Sequence, residues 1–440
     1  MTRLPEGTRS IRVAVSDLNG QARGKRLPVS QLDKVLDGQV RMPLSALNVD
    51  ILGDDIDGSP LVFESGDRDG LLVPTDQGIL TIPWLETPSV LIPTWMSNDD
   101  GTPFDGDPRH ALDRVLSRYA DRGWHVIAAT EMEFFLADDS GDTLRPPPSP
   151  RSGKRRLGGE ILSLRALDAH DRFFGELYAA AEAMGLPTDT ATSEAGVAQF
   201  EINLLHGPAM KAADEAWLFK LLVKGLARQH DMVATFHAKP YPDEAGSGMH
   251  VHFSVLDDDG RNVFDDGTDT GSDTLRHAVA GCLEALTAST LIFAPHGPSF
   301  DRLVPNAHAP TGIGWAYENR TAAVRIPSGP GAARRIEHRV AGGDTNPYLV
   351  FAAILGAALD GIERKAVPPE PLTGNAYEAK LKQIPASWDE AIQAFAASDM
   401  LKRILPAALI RNFLATKRQE RDGYDDLTSD EIMDHYLDTV

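Results

Sequence analysis

The chain of 440 residues carries 43 basic and 64 acidic side chains, a formal net charge of −21. With 42% hydrophobic and 24% charged residues it can bury a large core, which excludes a disordered chain. The acidity argues against unaided binding to a nucleic-acid backbone, and the single cysteine, Cys282, excludes a disulfide framework or a cysteine-based zinc finger and fits a reducing compartment.

Residues 1–7 lack the apolar run of a secretory signal. Ile11, Val13 and Val15 alternate with Arg12, Ala14 and Ser16, predicting a half-buried strand that runs to Asp17 and turns at Asn19-Gly20. Short strands continue to about residue 105, with turns at Gly53, Gly58, Gly66 and Gly70. This reads as a small sheet-rich domain over 1–105, followed by a larger one over 106–440. Asp107 ahead of Pro108 caps a helix that carries Leu112, Val115, Leu116 and Tyr119 on one face. The proline-rich, then basic, run from Pro146 to Arg156 is irregular, serving as a solvated loop or an anion contact. Asn346-Pro347 opens an apolar helix to about Arg364, whose longest apolar stretch falls short of a bilayer span. Thr428 and Glu431 match a capping box for a terminal helix that docks through Ile432, Tyr436, Leu437 and Val440. Together these features predict a cytoplasmic protein without membrane association.

Four strand-like runs carry polar residues at every second position. Glu131 and Glu133 share one face, with Met132 and Phe134 on the other; Gln199, Glu201 and Asn203 repeat the pattern, with Glu194 shortly before. His250, His252 and Ser254 form a third set, and Arg335, Glu337 and Arg339 a fourth. Any one such strand is an ordinary solvated face. Four with strongly apolar reverse sides predict a sheet that curls its polar face around a charged cavity. Glu131, Glu133, Glu194, Glu201 and Glu337 offer hard oxygen donors and His250 an imidazole, a set suited to Mg²⁺ or Mn²⁺.

Arginines crowd the stretch after residue 300: Arg302, Arg320, Arg325, Arg334, Arg335 and Arg339. They serve either structural ion pairs or an anionic substrate held by bidentate hydrogen bonds. Divalent cations beside an arginine clamp are what phosphoryl transfer from a nucleotide requires. Neither a Walker A sequence nor a G-x-G-x-x-G fingerprint is present.

The chain resembles the glutamine synthetase superfamily. The resemblance rests on Ser16-Asp17-Leu18-Asn19-Gly20 with Arg23-Gly24-Lys25, Glu131-Met132-Glu133, Glu194 with Gln199-Phe200-Glu201-Ile202-Asn203, and Gly246-Ser247-Gly248-Met249-His250-Val251-His252. It continues through Arg302-Leu303-Val304-Pro305, Glu318-Asn319-Arg320 to Pro327, Arg334-Arg335-Ile336-Glu337-His338-Arg339 and Asn346-Pro347-Tyr348-Leu349. The family implies an α+β fold, with a small N-terminal β-grasp domain and a large catalytic domain built on a curved antiparallel sheet. It also implies a homo-oligomer, a dodecamer of two stacked hexameric rings with active sites between neighbouring subunits.

By motif position, Glu133, Glu194 and Glu201 would hold one metal and Glu131, His250 and Glu337 a second. The family uses roughly two to three Mg²⁺ or Mn²⁺ per site and ATP as co-substrate. Arg302, Arg339, Glu133 and Gly246 would bind glutamate. Asp189, His252, Ser254 and Arg335 would contact ATP, with Arg320 and Arg325 on the transferring phosphate. The family reaction makes γ-glutamyl phosphate, which a nitrogen nucleophile then attacks.

Two departures bear on that nucleophile. His308 stands in the flap segment Arg302 to Pro310 where ammonia-using members carry a glutamate, and the stretch Arg41 to Asp50 lacks their Asp-Gly-Ser-Ser motif. Ala245 replaces an asparagine. A site without these acids loses the compact anionic pocket that ammonium needs and leaves room for a larger amine. The pattern is similar to the γ-glutamylpolyamine synthetase-like branch, which implies a glutamate–amine ligase acting on a polyamine or other small amine. His308 is either the base for the amine proton or an ordinary loop histidine, and Asp50 is a further candidate for contacting the amine. Glutamine synthetase using ammonium and a non-catalytic ring protein stand as alternatives. Tyr377 reads as an ordinary surface tyrosine.

Overall fold

The computed structural model describes residues 4–141, 143–156, 158–305 and 307–440. Expectations that fall on residues 1–3 and on Asn306 lie outside the described residues.

Six strands form the first sheet: β1 (Ser10–Ser16), β2 (Ala22–Pro28), β3 (Val40–Pro43), β4 (Asp69–Pro74), β5 (Leu80–Thr81) and β6 (Ser89–Ser97). Their order is β2-β1-β6-β4-β3, with β5 on β6, and β1 runs parallel to β6 while the other pairs are antiparallel. Ile11, Val13 and Val15 enter this sheet's own core with Val90, Ile92 and Met96. The reverse face is covered too, because Ala14 and Leu91 join the main core of the molecule. Thus β1 is buried at every position but Arg12, not half-buried as its alternation predicts. Gly70 is not a turn residue either. It lies within β4, where a Cβ would come 2.5 Å from the Ser97 carbonyl oxygen and 2.6 Å from Leu44. Close strand approach, not chain reversal, requires the glycine.

The second sheet holds β7 (Trp124–Ala137), β8 (Thr188–Ser193), β9 (Gln199–Pro208), β10 (Val233–Thr235), β11 (Met249–Asp257), β12 (Trp315–Tyr317), β13 (Val324–Ile326) and β14 (Ile336–His338). The order is β12-β13-β14-β11-β7-β9-β8, with β10 on β7. It is antiparallel except between β12 and β13, which are parallel because residues 318–323 carry the chain back before it re-enters the sheet. Helices Pro108–Ala120, Asp171–Met184, Ala209–Gln229 and Asp273–Phe293 cover one face. Met132, Phe134, Phe200, Ile202, Met249, Val251 and Phe253 meet them at 2% exposure or less. Each such aliphatic or aromatic burial contributes about 1.5–3 kcal/mol.

Helix Pro347–Arg364 packs on those helices as a second layer, and every residue from Pro347 to Gly361 is buried, which is why its sequence is apolar all round. Asn346 caps it through the Tyr348 and Leu349 amides and donates to the Asp17 carbonyl at 2.7 Å, pinning the Asn19-Gly20 turn. Asp107 caps the Pro108 helix and accepts from the Met96 amide at 2.7 Å. The terminal helix Ser429–Leu437 has its capping box, and Tyr436 and Val440 pack with Ile51 of the first sheet's region. Residues of the 146–156 run are irregular, and two of its three arginines form ion pairs: Arg155 with Asp138, and Arg156 with Glu160 at 3.3 Å. No helix among the described residues is long and apolar enough to cross a membrane.

Candidate active site

Strand register assembles the site. Residues directly opposite on neighbouring strands project to the same face. Glu131 of β7 faces Asn203 of β9 on one side and His250 of β11 on the other, while Glu133 faces Glu201. His252 faces Glu337 of β14, which in turn faces Arg325 of β13. Five strands drawn from residues 124–338 therefore place their polar alternate positions on the face the helices leave open.

Hydrogen bonds fix these side chains. Glu131 accepts from His250 Nδ1 at 2.7 Å and from His252 Nε2 at 2.9 Å. Arg335 Nε donates to the other nitrogen of His252 at 3.3 Å, which sets its tautomer. Glu133 accepts from the Gly248 amide at 2.6 Å. Arg302 closes the short helix Ser299–Arg302 and donates to the Val340 carbonyl at 2.8 Å. A Cβ at Gly246 or Gly248 would come 2.7 Å from the Arg302 side chain, so both glycines make room for it. The fully buried Glu337 carboxylate is clamped by Arg325 and Arg339, and Arg325 also reaches Glu318 at 3.2 Å.

The electrostatics follow from this crowding. Burial pushes Glu133 up to about 7 against the pull of Arg302. Burial, reinforced by Glu131, Glu133 and Glu194, pushes Glu201 up to about 9. Burial raises Glu194 as well. Glu131 is held below the usual carboxylate range because the hydrogen bonds of His250 and His252 outweigh its burial. In Glu337 the charges of Arg339, His252 and His250 overcome burial in the same way. Carboxylates at this density hold protons unless cations stand among them.

Two trios of donors have ligand atoms within 4.8 Å of one another: Glu131, Glu201 and His250, and Glu131, His252 and Glu337. Carboxylates with imidazole fit a hard divalent cation. These trios differ from the partition the resemblance implies. Glu131 is common to both, and His252 stands with the carboxylates because its Nε2 is bonded to Glu131.

Two cavities share Glu131 and Asn203. The larger, about 710 Å³, is lined by Asp189, His252, Ser254 and Arg335, four of the residues expected to contact ATP. The smaller, about 480 Å³, gathers Glu133, Glu194, Glu201, Gly246, His250, Arg302, His308, Arg320 and Arg339. Arg325 lines neither, being turned onto Glu337 and Glu318. Asp50 lines neither as well: its carboxylate caps its own loop through the Leu52, Gly53 and Asp54 amides and accepts from Gln419. Arg334 is taken up by the Thr268 and Asp269 carbonyls at 2.8 Å.

Tyr377 is half-buried rather than an ordinary exposed surface tyrosine. It lines the smaller cavity, and its hydroxyl donates to the Ala309 carbonyl at 3.0 Å. Nothing in its local sequence signals this. Asn203 was legible as the next alternate position after Glu201, as was Gln199, which donates to the Gly246 carbonyl at 3.0 Å.

Comparisons with known proteins converge on one family. Residues 105–436 match the family model of the glutamine synthetase catalytic domain. The chain is 36% identical over 424 residues to gamma-glutamylputrescine synthetase PuuA of Escherichia coli, covering 94% of this chain and 88% of that one. It is 32% identical over 450 residues to a glutamine synthetase of Thermus thermophilus, covering 99% and 97%. Among solved structures, apo GmaS superposes with a TM-score of 0.84 at 30% identity, covering 97% of this chain and 96% of that one.

Proposed function

The chain belongs to the glutamine synthetase family, and from that premise we propose that it is an ATP-dependent, ADP-forming ligase joining glutamate to an organic amine. The observation that carries this reading is the mouth of the smaller cavity. There His308, Ala307, Ala245 and the exposed Ile161 and Leu162 stand together, with imidazole and hydrocarbon where an ammonium pocket needs an acid. The methylene body of a polyamine or other small amine gains from such a rim, whereas a bare ammonium ion gains little. The likeness to gamma-glutamylputrescine synthetase PuuA supports the same class of acceptor.

In this reading Arg302 and Arg339 hold the carboxylates of glutamate beside Glu133 and the Gly246 backbone. Asp189, His252, Ser254 and Arg335 hold ATP in the larger cavity. The γ-carboxylate oxygen attacks the γ-phosphorus and ADP leaves, while Arg320, and Arg325 once released from Glu337, balance the charge on the transferring phosphoryl group. The amine nitrogen then attacks the acyl carbon, phosphate departs with the acyl oxygen, and His308 takes the amine proton. Mg²⁺ or Mn²⁺ held by Glu131, Glu133, Glu194, Glu201, His250 and Glu337 supplies charge neutralisation at the phosphates when bound. Residues 1–105 form the β-grasp domain and 106–440 the catalytic one, and the chains assemble as a cytoplasmic dodecamer with shared sites.

Phosphate release from ATP, Mg²⁺ and glutamate, with ammonium, methylamine, ethanolamine, putrescine or spermidine in separate reactions, tests the proposal. Turnover with an organic amine well above ammonium is expected. Turnover with ammonium alone overturns it, and silence in every reaction favours a non-catalytic ring protein.

A further inference from the structure

A cavity of about 420 Å³ lies between the first sheet and helix Ala209–Gln229, and it shares no residue with the two cavities of the active site. Arg12 of β1 and Arg26 of β2 are direct cross-strand partners at its edge. Like charges so opposed repel, and an anion between them would relieve that repulsion. The neighbouring Arg23 has its own acid, Asp17, at 2.8 Å. Arg12 and Arg26 form no such pair among the described residues, and Arg12 Nη1 is buried without a hydrogen-bond partner. Lys25 of β2 and Lys224 of the helix add two further cations, and the Lys224 ammonium donates to the Asp438 carbonyl at 3.1 Å. Among the described residues no carboxylate lines the cavity, in a chain whose net charge is −21.

The floor is apolar. Leu91 lies opposite Arg12 on β6, and the Trp84 indole rests on the helix where Gly225 leaves space; a Cβ there would come 2.3 Å from Trp84 Cδ1. Cations over an apolar, aromatic floor recognise an anion that carries a hydrocarbon body, since each part of the ligand then finds its complement. We propose that this groove is a binding site for a small organic anion, a carboxylate or phosphate on an apolar or aromatic body, distinct from the active site. Burial, and then the nearby Lys220, hold Lys224 below its ordinary range, a shift that a bound anion opposes.

The test titrates the assembled protein, with ATP and Mg²⁺ saturating, against three probes: naphthalene-2-carboxylate, the neutral naphthalene-2-methanol, and inorganic phosphate. Calorimetry and tryptophan fluorescence report binding. The carboxylate should bind at least tenfold tighter than either other probe. Arg26→Ala should weaken it at least fivefold, and Trp84→Phe should remove most of the quenching. Equal affinity for alcohol and carboxylate, indifference to Arg26→Ala, or displacement by ATP would overturn the proposal. So would an assembled protein that binds no probe while Arg26→Glu changes its oligomeric state, since the groove would then be a contact between copies.

Discussion

The Tyr377 hydroxyl donates to the Ala309 carbonyl at 3.0 Å, fastening a loop distant in sequence to the segment that carries His308. The same loop binds the Arg320 segment, because the Ala376 amide donates to Thr321 Oγ1 at 2.9 Å. His308 itself adopts φ +61°, a conformation its surroundings must hold in place. Tyr377→Phe removes one neutral hydrogen bond, worth about 0.5–1.5 kcal/mol. The KM for the amine should rise about 2- to 10-fold with kcat and melting temperature little changed. Steady-state kinetics at saturating ATP and glutamate reads the split.

Glu131 joins both donor trios and orients both histidines. Glu131→Gln keeps the shape and loses the charge. Activity should fall by about 10- to 100-fold or more, as loss of a metal ligand's orienting partner does. Mn²⁺ binding followed by calorimetry or electron paramagnetic resonance should weaken in parallel.

Removing divalent cations should abolish turnover and lower stability, because Glu133, Glu194 and Glu201 are then crowded without compensation. A melting curve with chelator, then with millimolar Mn²⁺, should show an upward shift of several degrees. A melting temperature unmoved by metal would contradict the assigned donors.

A buried network of Glu420, Lys417 and His296 gives a pH prediction for stability. Glu420 is fully buried, yet the Lys417 charge and the His296 contact outweigh that burial and hold its carboxyl down to about 2. A carboxyl lowered on folding contributes stability above its unfolded value near 4.5, lost as the pH falls toward 2. The destabilisation caused by Glu420→Gln should therefore shrink by roughly 3 kcal/mol between pH 5 and pH 2. Denaturant unfolding of both proteins at each pH measures the difference.

Much of this architecture was legible in the sequence because strand periodicity is local. The alternation of Glu131 with Met132, or of His250 with Val251, already states which face is core and which is site. The caps at Asp107, Asn346 and Thr428 were equally readable, since each depends on its nearest neighbours. Long-range docking was not. The second burying face of β1 depends on the main core, the role of Gly70 on Ser97 and Leu44, and the place of Tyr377 on a loop some seventy residues away. The loop role of Asp50 was unreadable for the same reason, because Gln419, one of its partners, lies far along the chain.

His308→Glu introduces an acid into the lining of the smaller cavity and tests how the amine is chosen. Turnover with ammonium should rise relative to the organic amine, since a fixed carboxylate favours a small cation. The ratio of kcat/KM values for the two nucleophiles, compared between parent and variant, measures the change.

The most direct test is a competition. The protein is given ATP, Mg²⁺ and glutamate together with equal concentrations of ¹⁵N-ammonium and an organic amine such as putrescine or methylamine, and the products are weighed by mass spectrometry. The account predicts that γ-glutamyl amides of the organic amine dominate. Labelled glutamine as the main product would contradict it.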